Sequence, residues 1–194
     1  SRDVQIAFAN ELSMICDDLD IDVRQLIDIA NRHPRVNILQ PGCGVGGHCI
    51  AVDPWFIVHL AKGKARLIET AREVNNFKPL WVADKVKTAA SKLREPVIAC
   101  FGAAYKPDID DLRESPAIQI IQNLQAAKIG RVLVVEPNIE SLPGSELVDV
   151  NQALAQADIV VFLVGHTPFL ALSAAQLAEK IVIDACGALA AINS

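Results

Sequence analysis

Between Pro41 and Pro54 the chain sets a thiol, an imidazole and a carboxylate beside four glycines. Gly42, Gly44, Gly46 and Gly47 accept tight, often positive-φ backbone that other residues resist, so this stretch can come close to a ligand. Cys49 follows, flanked by His48, and Asp53 stands four residues further on. Asp53-Pro54 reads as a helix N-cap with proline at the first helical position. A cysteine carried by a glycine loop beside a helix start is placed as a nucleophile is. The chemistry to expect is covalent catalysis by the thiol.

Three blander readings compete. Gly42-x-Gly44-x-x-Gly47 matches the dinucleotide fingerprint as text, but that fingerprint works between a strand and the helix it opens, with an acidic residue about twenty positions on. Here the helix starts late, at Asp53, and the region near position 67 is itself helical. Cys43, His48 and Cys49 could suggest zinc, yet a structural site needs four ligands and no second pair is evident. Asp110-Asp111 is a single acidic dipeptide, and no metal is assigned to it. A buried, inert cysteine remains open, because spacing alone does not exclude it.

The elements that must position this loop fall into two halves. Residues 2 to about 93 carry helical spacing: Val4, Ile6, Ala7, Leu12 and Ile15, then Ile21 to Ala30 opened by Asp20 or Asp22. A short helix from Pro54 to about Leu60 and a long one from about Lys64 to Leu93 follow, with Pro79 predicted to kink or split the latter near Phe77-Lys78. Apolar residues left over on these helices predict a dimer seam. From Pro96 the period changes. Val97–Phe101, Arg131–Val135, Ile159–Val164 and Ile181–Ile183 are short, β-branched apolar runs that suit parallel strands buried on both faces. Helical stretches at Ser115–Ala127, Val150–Gln156 and Phe169–Glu179 alternate with them. The fold class is therefore α/β: an all-helical region over 1–94, then a Rossmann-like doubly wound parallel sheet over 95–194. Ligands of such sheets sit at the strand carboxyl ends, which gathers Gly102–Lys106, Glu136–Asn138 and Gly165–Thr167 on one rim. Glu136 sits where a ribose-binding carboxylate would, but no glycine fingerprint follows the first strand. His166 could simply cap the rim, and His59 reads as a helix-surface residue.

The loop, from Gly42 to Cys49, closely resembles the catalytic loop of the nucleotide-sugar 6-dehydrogenases, the UDP-glucose and GDP-mannose dehydrogenase family. Within it the form is most similar to that of the UDP-N-acetyl-D-mannosamine dehydrogenases. Phe101–Pro107 with Asp110–Ala117 resembles the family's signature after the first strand of its C-terminal domain, and Ile6–Glu11 resembles the start of its central helical domain.

The resemblance implies that Cys49 captures a sugar aldehyde as a thiohemiacetal, oxidised in turn to a thioester, while Asp53 orients or activates water. It implies substrate contacts from Gly46, Gly47, His48, Tyr105 and Lys106, and from Arg35 reaching the sugar nucleotide of a neighbouring subunit. Arg113 is placed near the cofactor; taken alone, Lys106, Arg113 and Arg35 would be solvated charges. UDP-glucose dehydrogenases tend to carry lysine just before the aspartate, where this chain has Val52, which points to an N-acetylated hexosamine. Sibling substrates (UDP-N-acetylglucosamine, UDP-glucose, GDP-mannose) and a non-catalytic nucleotide-sugar-binding or dimerisation module stay open as alternatives. The family's NAD-binding domain, and the lysine and asparagine that follow it, have no counterpart here. The expectation is a C-terminal portion of a longer enzyme, inactive alone, with NAD bound mainly elsewhere and a homodimer formed through the helices.

Composition excludes other classes. The chain has 194 residues, 52% hydrophobic, with a net charge of −5 and pI near 5.3, which argues against a nucleic-acid surface. No apolar run reaches membrane-spanning length. Five scattered cysteines, an odd number, suggest a reducing cytoplasm.

Overall fold

A computed structural model describes residues 1–192. Four helices, α1 (Arg2–Asp18), α2 (Val23–Ala30), α3 (Asp53–Leu60) and α4 (Arg66–Ala90), precede a five-stranded sheet. Its strands are β1 (Val97–Phe101), β2 (Arg131–Val135), β3 (Glu146–Leu147), β4 (Ile159–Phe162) and β5 (Ile181–Asp184). Every pairing is parallel and the order is β3-β2-β1-β4-β5. The chain leaves β1 in one direction and returns on its other side at β4, so the switch point lies between these two strands.

Alternation along the strands sorts the core into two layers. Ile98, Cys100, Val132, Val134, Ile159 and Val161 face α4 and α5 (Pro116–Ala127). Ala99, Phe101, Leu133, Val135, Val160 and Phe162 face the other layer, which includes Ala153 of α6 (Val150–Gln156), Phe169 of α7 (Thr167–Leu170) and Leu177 of α8 (Ala174–Leu177). With both faces covered, the strands are apolar throughout. A last helix, α9 (Ala188–Ile192), starts on Asp184, whose carboxylate accepts from the backbone N–H groups of Cys186, Gly187, Ala188 and Leu189.

α1 and α4 pack on one another, with Ala7 and Ala9 of α1 and Ala71 of α4 buried, around a buried polar seam. Arg72 pairs with Asp3 at 2.7 Å, Asn75 donates to the Asp3 carboxylate at 2.8 Å, and Asn10 donates to Asn75 at 2.9 Å. Asn10 in turn accepts the Gly42 N–H at 2.9 Å, so the seam ends on the glycine loop.

Several sequence expectations are corrected. α4 is one helix through Pro79, so the expected split does not occur; the proline is buried and its ring lies against the loop at Gly44. Asp53 is not an N-cap: α3 begins at Asp53 itself, Val52 is the cap, and no side-chain cap bond forms. The single helix expected over 169–179 is two short ones, α7 and α8, the second closed by a Ser173–Gln176 capping box. The two-residue strand β3 and α9 carry too little periodicity to be read from sequence. Asp22, one of the two expected caps, does cap α2.

The Asp3–Arg72 pair is almost wholly out of solvent, and Arg72 Nε and Asp3 Oδ2 have no partner among the described residues. Removing one member of such a pair strands the other charge. Arg72→Ala is therefore expected to lower unfolding free energy by about 3–5 kcal/mol in urea titrations.

Candidate active site

Cys49 is exposed, whereas Cys16, Cys43 and Cys100 are buried and Cys186 is half-buried. The Cys49 carbonyl accepts the Asp53 N–H at 2.8 Å, so the first turn of α3 starts on the cysteine's own backbone. Cys49 and Asp53 line one hollow of about 240 Å³ together with Ser1–Val4 of the α1 entrance, Ile57 and Ile68. The structure thus brings thiol and carboxylate together, at a hollow whose third wall, residues 1–4, was not singled out in the sequence. His48 lies beside Cys49 and is exposed.

The loop that carries Cys49 is docked on the switch point of the sheet. Cys43 Sγ donates to the Leu163 carbonyl just past β4 at 3.4 Å, and the Gly47 N–H donates to the Arg113 carbonyl at 3.1 Å. A Cβ at Gly46 would lie 2.6 Å from the Glu114 carbonyl oxygen and 2.7 Å from Tyr105 Cβ. Only glycine allows that approach. Gly47 adopts φ +86°, which side chains resist, and its Cα faces the Tyr105 ring. Beside this contact a cavity of about 380 Å³ opens between Gly42–Gly44, Tyr105, Leu163–Gly165 and Cys186–Ala188. It lies at the carboxyl ends of β1 and β4, where ligands of doubly wound sheets sit.

The segment after β1 is fixed by its own loop and by the rim. The Tyr105 N–H donates to the Asp111 carbonyl at 3.1 Å, and Ser115 Oγ donates to the Ala103 carbonyl at 2.6 Å. Lys106 is exposed, its ammonium 5.7 Å from the Tyr105 ring centre. Arg113 forms a bidentate pair with Asp111, which holds that carboxyl down at about 2 and raises the guanidinium. Arg113 is exposed, and its side-chain partner is Asp111. Arg35 is exposed in the turn after α2, its N–H on His33, and no hydrogen bond or ion pair joins it to the loop among the described residues.

The rim gathers as expected, but its carboxylate is spent inside. Glu136 Oε2 accepts the N–H groups of Ala103 (2.7 Å) and Ala104 (3.0 Å), and His166 Nε2 lies 2.9 Å away. Burial pushes the Glu136 carboxyl up, yet the bonds from His166 and the two amides outweigh it and hold it below the ordinary value. His166 Nδ1 accepts the Asp108 N–H at 2.9 Å, which leaves Nε2 as the proton-bearing nitrogen toward Glu136. Asp108 returns the contact by accepting from Thr167 N–H and Oγ1. His166 is thus a fully buried strut rather than a surface cap. Thr167 was expected on the rim, but its pairing with Asp108 carried no sequence signal, since it spans 59 residues.

This filled rim does not fit a dinucleotide. The amides that would meet a pyrophosphate, and the carboxylate that would meet a ribose, bond to each other.

The central-domain model of the UDP-glucose/GDP-mannose dehydrogenase family matches residues 1–77, and the UDP binding domain model of the same family matches residues 99–191. The NDP-N-acetyl-D-galactosaminuronic acid dehydrogenase of Ralstonia nicotianae is 61% identical over 96% of this chain and 45% of its own length. The UDP-N-acetyl-D-mannosamine dehydrogenase of Campylobacter jejuni is 57% identical over 87% of this chain and 43% of its own. Among solved structures, the UDP-N-acetyl-mannosamine dehydrogenase of Staphylococcus aureus superposes with a TM-score of 0.85 at 42% identity, covering 96% of this chain and 45% of that one. The chain thus spans about half the length of the curated relatives it matches.

Thiol environment separates the cysteines. Burial pushes Cys43 and Cys100 up to about 12 and raises Cys186 as well. Those thiols stay protonated at neutral pH and are inert. Iodoacetamide at pH 7.5 is expected to label Cys49 first, with Cys43 and Cys100 labelled only on unfolding, as read by peptide mass spectrometry.

Proposed function

The chain belongs to the UDP-glucose/GDP-mannose dehydrogenase family, and from that premise we propose that it supplies the thiol loop and UDP-binding portion of an NAD-dependent UDP-N-acetyl-D-mannosamine 6-dehydrogenase. The observation that carries the reading is the exposed Cys49 sharing a hollow with Asp53 on a loop docked against the UDP binding domain. The UDP part would occupy the cavity beside Tyr105, with Lys106 near its phosphates, and the sugar would extend toward Cys49. Gly46, Gly47 and His48 line that path.

The whole reaction takes a C6 primary alcohol to a carboxylate, a loss of two hydrides, and NAD supplies the acceptor when bound. No described residue cradles it, and the steps that belong to this chain are those of its own side chains. Cys49 adds as thiolate to the C6 aldehyde carbon, and the former carbonyl oxygen takes a proton. The aldehyde is thereby held covalently as a thiohemiacetal, which still carries the hydrogen that leaves in the second oxidation. The resulting thioester is cleaved by water, which Asp53 orients or deprotonates, and Cys49 is released as a thiol. Covalent capture explains why the loop needs a thiol.

A second reading is a sibling enzyme for another UDP-N-acetylhexosamine, favoured by the 61% identity to the protein named for N-acetyl-D-galactosaminuronic acid. Both share the mechanism. Mass analysis of the products formed from a panel of UDP-sugars separates them.

We also place the protein in the cytoplasm, since all five cysteines are unpaired, and as a homodimer through its helices. Phe8, Ile15 and Leu19 form a stripe along α1 at 53%, 50% and 63% exposure, and Phe77 and Leu80 of α4 are half-exposed. Sedimentation at micromolar concentration should give a dimer; a stable monomer would contradict the seam.

In the whole protein, Cys49→Ser should abolish uronate formation or leave a very slow ester, with UDP-sugar binding retained. Cys43→Ser should keep turnover at a rate close to wild type, because serine nearly matches its size and can keep the hydrogen bond to the Leu163 carbonyl. Uronate formation at the wild-type rate by the Cys49 variant would overturn the covalent mechanism. Equal damage by both variants, mimicked by chelators, would point to a metal site instead.

A further inference from the structure

A third cleft, of about 480 Å³, opens between α1, α2 and α4 on one wall and β5 on the other. It shares no residue with the Cys49 hollow. Four cations line it, Arg24, Lys78, Lys85 and Lys92, with three carboxylates, Asp17, Asp22 and Asp184. The carboxylates are already engaged. Asp184 caps α9, Asp22 caps α2 through the N–H groups of Arg24 and Gln25, and Asp17 pairs with Lys85.

Lys78 is left without one. It is 97% buried, and its ammonium has one oxygen partner, Ser13 Oγ at 2.6 Å, with the Trp81 ring 4.0 Å away. An ammonium carries three donor hydrogens; Ser13 Oγ takes one and the indole face lies beside it, with Asp17 near enough to favour the charged form without a hydrogen bond to it among the described residues. Burial lowers its pKa to about 8, which still leaves the charged form dominant at neutral pH. A buried cation in that state is costly unless an anion meets it. Arg24 is held at the same cleft, donating to Gln40 at 3.1 Å with its guanidinium packed on Gly187. Lys92 stands exposed at the edge.

We propose that this cleft binds a phosphate group, free or carried by a small phosphorylated metabolite, with Lys78 on its floor and Arg24 and Lys92 above. Several oxygens on one centre can take donors from separate cations at once, which a single carboxylate does less well. Trp81, Val23 and Val182 offer apolar wall for an organic remainder. The site stands on the cleft's own residues and does not depend on the proposed reaction.

Trp81 is one of two tryptophans, and Trp55→Phe isolates its emission. In that background, inorganic phosphate should change the emission saturably, while sodium chloride at matched ionic strength should not. Lys78→Met should weaken the phosphate response by about tenfold or more, the loss of one charge-assisted hydrogen bond. If that variant does not fold, Arg24→Gln with Lys92→Gln should weaken it in a chain that still melts cooperatively. UDP distinguishes the sources: a UDP-induced change in Trp81 emission that Lys78→Met removes identifies a phosphorylated metabolite, and a response to inorganic phosphate alone identifies the free ion. No saturable response to either, an equal response to chloride, or unchanged affinity in the folded variants overturns the proposal.

Discussion

Everything chemical in this chain depends on one docking event: the glycine loop seated on the switch point of a parallel sheet. The loop carries the thiol but has no regular structure of its own, so its geometry is set by what it touches. Cys43 bonds the backbone past β4, Gly47 bonds the segment past β1, and Gly46 lies against Tyr105 with no room for a side chain. These contacts come from both sides of the switch point, so a shift between β1 and β4 would move Cys49 as well. The cavity at the carboxyl ends of β1 and β4 lies beside the same contacts, so its walls and the thiol loop are positioned together.

The loop is held from its other end by charge buried between helices. The chain of bonds from Arg72 through Asp3, Asn75 and Asn10 reaches the Gly42 amide. Buried ionic groups add little net stability over apolar packing, but each demands its partner, so they fix how α1 and α4 register. That register places residues 1–4 against the hollow that holds Cys49 and Asp53. The same two helices leave Lys78 with too few partners, so one seam is closed and its continuation is open.

The sheet resembles dinucleotide-binding domains in topology and differs from them in how its rim is used. Glu136, instead of facing outward to a ribose, closes over the amides of Ala103 and Ala104 and is braced by His166. The brace continues to Asp108 and Thr167 and so stiffens the segment that bears Tyr105 and Lys106. The groups that would hold a cofactor in such domains are spent here on holding the segment after β1.

The thiol loop, the two halves and most of the strands were legible from sequence because each is encoded locally. Glycine spacing, Cys49 and Asp53 lie within a dozen residues, and the β-branched runs at 97–101, 131–135 and 159–162 show their period directly. Pro79 misled for the opposite reason. Its local cost is real, but packing against Gly44, far along the chain, decides that α4 continues. Asp53 likewise looked like a cap, and the Cys49 carbonyl, not its own side chain, governs where α3 begins. Only the tertiary structure decided which carboxylates are free. Glu136, Asp108 and Asp184 are bound to partners or caps, Asp53 is left beside the thiol, and Lys78 lacks an anion. Sequence names the ionisable groups, but their partners lie tens of residues apart, and desolvation and pairing act through space.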